Sequence, residues 1–328
     1  LALIEKIEES EIPYWFPIER MPEGSESRRN DPIGLTHVHH FYTKRNLWVV
    51  SVLYSKANSS AVYLFKFGFL NTSWHATVMR RYNARGGDRP LSGTLYIPSI
   101  PIEGNMINIY EHKIRQLSSF LKQRGEIGIN YLLEVKSSTS RSKVMDLIDY
   151  IFLDPPFGSN INYSELNFLW ESWLKVWTNN KPEAIENEIQ GKGPQEYHRL
   201  MTACFREAYR VLKPGHWMTV EFSNTKASVW NSIQTALGEA GFIIANVSMM
   251  DKQQHSFNAV TTPTAVKQDL IISAYKPNGG FEERFKKEAG SKEGIWDFVR
   301  THLKYLAVTK ISDNKLVSIP ERDPRVLY

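Results

Sequence analysis

A carboxylate, two prolines and an aromatic ring stand together at Asp154-Pro155-Pro156-Phe157, and no other stretch of this sequence is as well suited to chemistry. Neither proline has an N–H to donate, and each restrains the residue before it to an extended backbone. The Asp154 carboxylate and the Pro155 carbonyl are therefore two hydrogen-bond acceptors on a stiff support, with a flat apolar face beside them at Phe157. Acceptors fixed in place before a ligand arrives can orient a group and stabilise positive charge that develops on it. The same four residues also fit a plain Pro-Pro turn with a solvated aspartate, so the flanking elements have to decide.

Those elements favour a site. Tyr150 to Leu153 is a short apolar run bounded by turn formers and reads as a buried strand. Asp154 then lies at the carboxyl end of a strand, where open α/β sheets bind ligands. Ser159 to Glu165 is polar and leads into a helix marked by Leu166, Leu169, Trp170, Trp173, Leu174 and Trp177 at helical spacing. That stripe is core packing.

The rest of the chain alternates in the same way. Leu1 to Glu9 is a short charged helix, and residues 10–35 are irregular, with four prolines. Leu47 to Tyr54 is helical, and Gly93 to Ile102 reads as a strand or hairpin arm. Ile107, Tyr110, Ile114, Leu117 and Leu121 mark a helix ended by Gly125, and Tyr131 to Val135 is a strand. Residues 179–195 form a polar, mobile excursion. A helix from Glu196 to Leu212 precedes a strand from His216 to Phe222. After a helix at Val229 to Leu237, two strands follow at Phe242 to Met249 and Leu270 to Tyr275. Residues 278–328 are a charged extension with one helix near Trp296 to Leu306. This order predicts an α/β fold, a sheet with helices on both faces.

With these elements in place, the residues resemble a family. Asp154-Pro155-Pro156-Phe157 is similar to motif IV of the amino-methyltransferases, which methylate exocyclic amines with S-adenosylmethionine. The string from Ile151 to Gly158, with Asn160, Tyr163 and Ser164 to Phe168, resembles the large prokaryotic DNA methylases of that class. Phe205 to Gly215 is similar to the helix and turn before the fifth strand of the class I, Rossmann-like methyltransferase fold. Phe41 to Leu47 resembles motif X, which helps to hold the cofactor.

The resemblance implies a methyltransferase domain at 36–277 with an inserted basic arm at about 71–106. The irregular segment 1–35 precedes it and the extension 278–328 follows it. Asp154, Pro155, Pro156 and Phe157 are the implied catalytic residues. Thr43, Asn46, Ser138 and Thr139, with Asp154, are those implied for S-adenosylmethionine. Gly158, Asn160, Tyr163 and Asn224 fall to the DNA side. Asp, not Ser, at the first motif position favours adenine N6 over cytosine N4. RNA or a protein amide is the alternative substrate, and a catalytically silent nucleic-acid-binding subunit is the reading from another class.

Arg80, Arg81, Arg85 and Arg89, with Tyr82 and a Gly-Gly point between them, are the strongest basic patch and suit phosphate. The family's glycine-rich cofactor turn does not precede Asp154. Phe67-Gly68-Phe69 is a poor substitute, and Gly191 and Gly193 lie in a polar loop. The first residue is Leu1, so the expectation is a chain cut from a longer protein, with that turn upstream or on a partner subunit.

Composition sets the outer bounds. The 328 residues are 42% hydrophobic and 23% charged, ordinary for a globular protein. A formal net charge of +5 permits DNA binding without requiring it. The single cysteine, Cys204, excludes an internal disulfide and a Cys-based zinc site, and no metal is expected at His37, His39 and His40. No apolar run of membrane-spanning length and no signal-peptide pattern occurs, which points to the cytoplasm. The resemblance to DNA methylases implies a role in restriction-modification.

Overall fold

The computed structural model describes residues 2–60, 63–84, 89–124, 136–140, 145–223, 227–251, 268–278, 296, 300, 309–312 and 315–318. The chain divides into two units that are interleaved in sequence. One contains residues 1–135 and 159–193, the other residues 136–158 and 194–328.

The first unit is helical where described. Its helices are α1 (Ala2–Glu9), α2 (Ser25–Arg28), α3 (Lys44–Ser59), α4 (Tyr63–His75), α5 (Met106–Arg124) and α6 (Tyr163–Leu174). The core forms around Trp173 of α6, which is fully buried among Trp15, Tyr42, Tyr54 and Phe69 with ring centroids 5.3–6.1 Å away. Its indole N–H donates to the Tyr42 hydroxyl at 3.1 Å, so the polar tip of the ring is satisfied inside the core.

Two sequence expectations fail in this unit. Gly93 to Ile102 is not a strand. Leu95 is buried, its N–H donates to the Glu26 carboxylate at 2.7 Å, and its carbonyl accepts from Asn30 Nδ2 at 2.9 Å. At Leu95, side chains of the N-terminal segment thus take the bonds a neighbouring strand would have taken. Farther along, the Tyr82 N–H donates to the Ile100 carbonyl and the Ile102 N–H to the Arg80 carbonyl, an isolated antiparallel bridge between Arg81 and Pro101 in place of a full hairpin arm. Residues 179–193 are packed, not excursive. Ile185 is fully buried, Asn187 and Lys192 exchange backbone hydrogen bonds, and the Lys192 ammonium donates to the Asn180 and Glu183 carbonyls.

The second unit carries the sheet. Its elements are β1 (Ile148–Leu153), α7 (Pro194–Val211), β2 (Leu212–Phe222), α8 (Ala227–Glu239), β3 (Ile243–Asp251) and β4 (Gln268–Tyr275). The strand order is β1-β2-β4-β3. β1 lies parallel to β2, and β4 is antiparallel to both of its neighbours. This is the α/β sheet with an antiparallel end that the sequence resemblance implies. β2 starts at Leu212, earlier than expected, and a register irregularity opposite Ile148 and Tyr150 absorbs Pro214 and Gly215.

Met218, Val220 and Phe222 alternate on one face of β2 and are buried. The buried stripes Tyr197, Leu200, Met201, Phe205 on α7 and Val229, Ile233, Ala236, Leu237 on α8 belong to the same core. The opposite face of β1 presents Tyr150 and Phe152, 54% and 56% exposed. A short antiparallel pair, β5 (Thr309–Ser312) and β6 (Lys315–Ser318), lies in the C-terminal extension, where the sequence suggested a helix alone. The expected strand at Tyr131 to Val135 and most of the helix at Trp296 to Leu306 lie outside the described residues.

Candidate active site

Parallel pairing of Leu153 with Val220 ends β1 in register with the buried centre of β2. The next residue, Asp154, is exposed. Among the described residues its carboxylate has no hydrogen-bond or ion-pair partner, and neither has the Pro155 carbonyl. Asp154 is exposed and Pro155 partly exposed, while the residues after them are anchored. The Tyr197 hydroxyl donates to the Pro156 carbonyl at 2.8 Å, and the Tyr197 side chain is fully buried on α7. The Phe157 ring meets Phe222 edge-on, with centroids 5.3 Å apart and planes at 78°. Phe222 in turn packs on Trp230 of α8 at 6.1 Å. Gly158 then turns the chain at φ +67°, a backbone conformation that residues with a Cβ rarely adopt.

The second unit therefore holds the Asp-Pro-Pro-Phe stretch from behind through Tyr197, Phe222 and Trp230 and leaves its front open. None of the three was singled out in the sequence. Tyr197 stands first in the buried stripe of α7, and only the structure shows its hydroxyl reaching the proline pair. At the far end of the same sheet, the buried Lys276 ammonium donates to Asp146 at 2.6 Å and to the Tyr209 and Leu212 carbonyls at 2.7 and 2.9 Å. That bond set ties the entry to β1 to the end of α7.

Beyond Gly158 the chain passes into the first unit. Asn160 is exposed and Tyr163, at the start of α6, is 40% exposed. Buried polar contacts hold this segment. Glu165 is fully buried and accepts from the Ser27 N–H at 2.6 Å and from Asn187 Nδ2 at 2.9 Å. Asn187 also donates to the Asn162 side chain at 3.2 Å. Burial pushes the Glu165 carboxyl above its ordinary value, against the bonds from Ser27 and Asn187, which draw it down. Gly24 lies against this carboxylate, where a Cβ would fall 2.1 Å from its Cδ.

The remaining predicted residues divide between the two units. Thr43 caps α3, accepting from the Asn46 N–H at 3.3 Å, and the buried Asn46 amide donates to the Ala76 carbonyl at 3.0 Å. Both line a cavity of only about 50 Å³. Ser138 and Thr139 sit on a turn in which the Ser137 and Thr139 hydroxyls are 2.8 Å apart. Arg80 is not on the surface: it is 8% exposed, and its guanidinium fills the space over Gly104. Arg81 is half-buried and Arg89 is exposed, while Arg85 and Asn224 lie outside the described residues. Phe67-Gly68-Phe69 is inside α4, with Gly68 against Ile114, so it is not a strand-to-helix turn. His37, His39 and His40 stack with centroids 4.3–5.7 Å apart. Burial and the two neighbouring rings push His39 down to about 4. Among the described residues no group of three acidic, His or Cys side chains is arranged to hold a metal ion.

Residues 148–315, half of the chain, match the DNA methylase family model N6_N4_Mtase. The chain belongs to this DNA methylase family. Its segment that matches begins at β1 and includes the Asp-Pro-Pro-Phe stretch. Solved structures with similarity to the chain include three of one Thermus thermophilus protein, designated a DNA modification methylase, one of them complexed with S-adenosyl-L-methionine. Identity is 16% in each, over 46% of this chain and 56–58% of those chains, with TM-scores of 0.25–0.26. The chain spans little more than half the length of these structures. No curated protein matches the sequence.

Proposed function

We propose that this chain transfers the methyl group of S-adenosylmethionine to the exocyclic N6 of adenine in DNA. The observation that carries this reading is a pair of acceptors without a hydrogen-bond partner among the described residues, the exposed Asp154 carboxylate and the Pro155 carbonyl at the carboxyl end of β1, in a member of the DNA methylase family. An exocyclic amine is a poor nucleophile because its lone pair is delocalised into the ring. Two acceptors, one on each of its hydrogens, favour a pyramidal nitrogen and stabilise the positive charge that grows on it. Tyr197 fixes the Pro156 carbonyl, and the two prolines restrain the backbone, so the acceptors are in place before the base arrives. Phe157, half-buried on Phe222, borders the base and excludes water from one side. The base must leave the duplex stack to reach this position.

S-adenosylmethionine supplies the methyl group as an electrophile. The residues present fit it in part. Asp154 and the Ser138 hydroxyl are available to hold it, whereas the Ser137 and Thr139 hydroxyls pair with each other, Thr43 caps α3 and the Asn46 amide is bonded to the Ala76 carbonyl. Arg81 and Arg89, with Arg85, contact phosphate, and Arg80 supports them from inside.

The test is transfer of labelled methyl groups to duplex DNA, with the product nucleoside separated to distinguish N6-methyladenine from N4-methylcytosine. Asp154→Ala should lower the rate by about 10²–10³-fold or more while the melting temperature stays unchanged. Asp154→Asn should keep a trace of activity, since its amide oxygen still accepts one bond. Wild-type rates from Asp154→Ala would refute the assignment.

A further inference from the structure

We propose that the first unit carries a second nucleotide site, a cleft between α4 and α6 that takes an unpaired base of single-stranded DNA with its phosphate at the rim. The inference rests on the DNA reading above and goes beyond it, because this cleft contains none of the residues assigned to methyl transfer. It has a volume of about 450 Å³, within the range of pockets that hold small planar ligands. Its walls are Phe67 and Trp74 of α4 and Trp170 of α6, and its polar groups are few. Asn71 and Lys113 are the two that matter here.

Three observations favour a nucleotide. Phe67 is 61% exposed, and with Asn71 and Trp74 it follows at helical spacing along α4, so an exposed ring stands on the cleft beside a tryptophan that is packed against the core. Trp74 and Trp170 meet edge-to-face at 5.3 Å and 76°, which gives the cleft a rigid aromatic wall. Lys113 is the cation in its lining, and Asn71 offers both a donor and an acceptor. An apolar aromatic interior with one cation and one amide matches a neutral ring attached to one phosphate. A purely apolar peptide side chain would leave Lys113 and Asn71 without a role, and base stacking on aromatic rings tolerates any sequence.

The cleft is also tied to the segment that follows the catalytic stretch. Gly93 lines it, and Ile161, three residues after Gly158, lies where a Cβ on Gly93 would touch it at 3.5 Å. A methylase that extracts its target base disturbs the neighbouring pairs, and a nucleotide caught here would stabilise that opened DNA.

The experiment uses the full chain and two probes of equal length, a fully paired duplex and a single strand carrying 5-iodouracil. Photocrosslinks mapped by mass spectrometry should fall on Phe67, Trp74 or Trp170. Phe67→Ala should weaken single-strand binding by about 10-fold, in the range measured for loss of one base stack, and leave duplex affinity within about 2-fold. Asn71→Ala, at an exposed position, should act in the same direction and guards against a misfolded Phe67 variant. Crosslinks elsewhere, with normal duplex binding, overturn the cleft and leave the methylase reading intact. A change in sedimentation of Phe67→Ala without a change in nucleotide binding means that a second copy fills the cleft, which also overturns it. Failure to bind either probe overturns both readings.

Discussion

Tyr197 stands behind the proposed catalytic stretch, and the bond from its hydroxyl to the Pro156 carbonyl makes a specific prediction. Tyr197→Phe keeps the ring and its packing but removes a buried hydroxyl donor, a loss of about 1 kcal/mol. If that bond orients the acceptors, kcat should fall by about 5–10-fold with KM nearly unchanged and the melting temperature lowered by only about 2–4 °C. An equal change in KM would assign the bond to substrate binding instead. The place of Asp154 at the end of β1 was legible in the sequence because the two prolines after it declare their backbone. Tyr197 was not, because a tyrosine at a core position reads only as volume. Glu165 was equally silent, since a carboxylate near a helix start normally faces water. Its raised carboxyl has a sign that can be checked. A carboxyl whose value is higher in the folded state adds stability below its ordinary value of 4.5 and loses that stability as pH rises through the raised value. The melting temperature of the native chain relative to Glu165→Gln should therefore fall as pH is raised from about 4 to about 8. A difference that stays flat over that range would show that the carboxyl titrates as it does in water.

At the scale of elements, periodicity was a good guide where packing follows from one helix face. The stripe from Leu166 to Trp177 holds as far as Trp173, which becomes the centre of a core, whereas Leu174 ends α6 and, like Trp177 beyond it, is exposed. Trp173→Ala should cost about 3–5 kcal/mol and give a large drop in melting temperature. It should do so without touching the Tyr197–Pro156 bond, which belongs to the other unit. Composition misled where polar side chains face inward. Residues 179–193 looked solvent-bound, yet Asn187 and Lys192 spend their polar groups on Asn162, Glu165 and nearby carbonyls. Gly93 to Ile102 has the residues of a strand. At Leu95 the hydrogen bonds come from Glu26 and Asn30, 69 and 65 positions earlier, and no local pattern announces partners at that distance, while Ile100 and Ile102 bond the Tyr82 and Arg80 backbone.

At the scale of the whole molecule, the net charge of +5 matters less than where its arginines end up. Arg80 is buried, so the phosphate-binding capacity of the basic arm rests on fewer guanidinium groups than the sequence displays. Replacing Arg81 and Arg89 together should reduce the slope of log K against log salt by about 2 and weaken binding to all DNA sequences alike. Replacing Arg80 should lower the melting temperature instead. An unchanged slope in the double variant would leave the arm as a solvated loop. The interleaving of the two units has a consequence for synthesis on the ribosome. When residue 135 has emerged, the socket formed by Trp15, Tyr42, Tyr54 and Phe69 exists in sequence, but Trp173, which fills it, has yet to be translated. The nascent first unit must wait for about 40 further residues, among them the whole of β1 and the Asp-Pro-Pro-Phe turn, with aromatic surface exposed. A ribosome stalled after residue 135 should present a chain that chaperones hold, and one stalled well beyond residue 193 a chain that proteases spare.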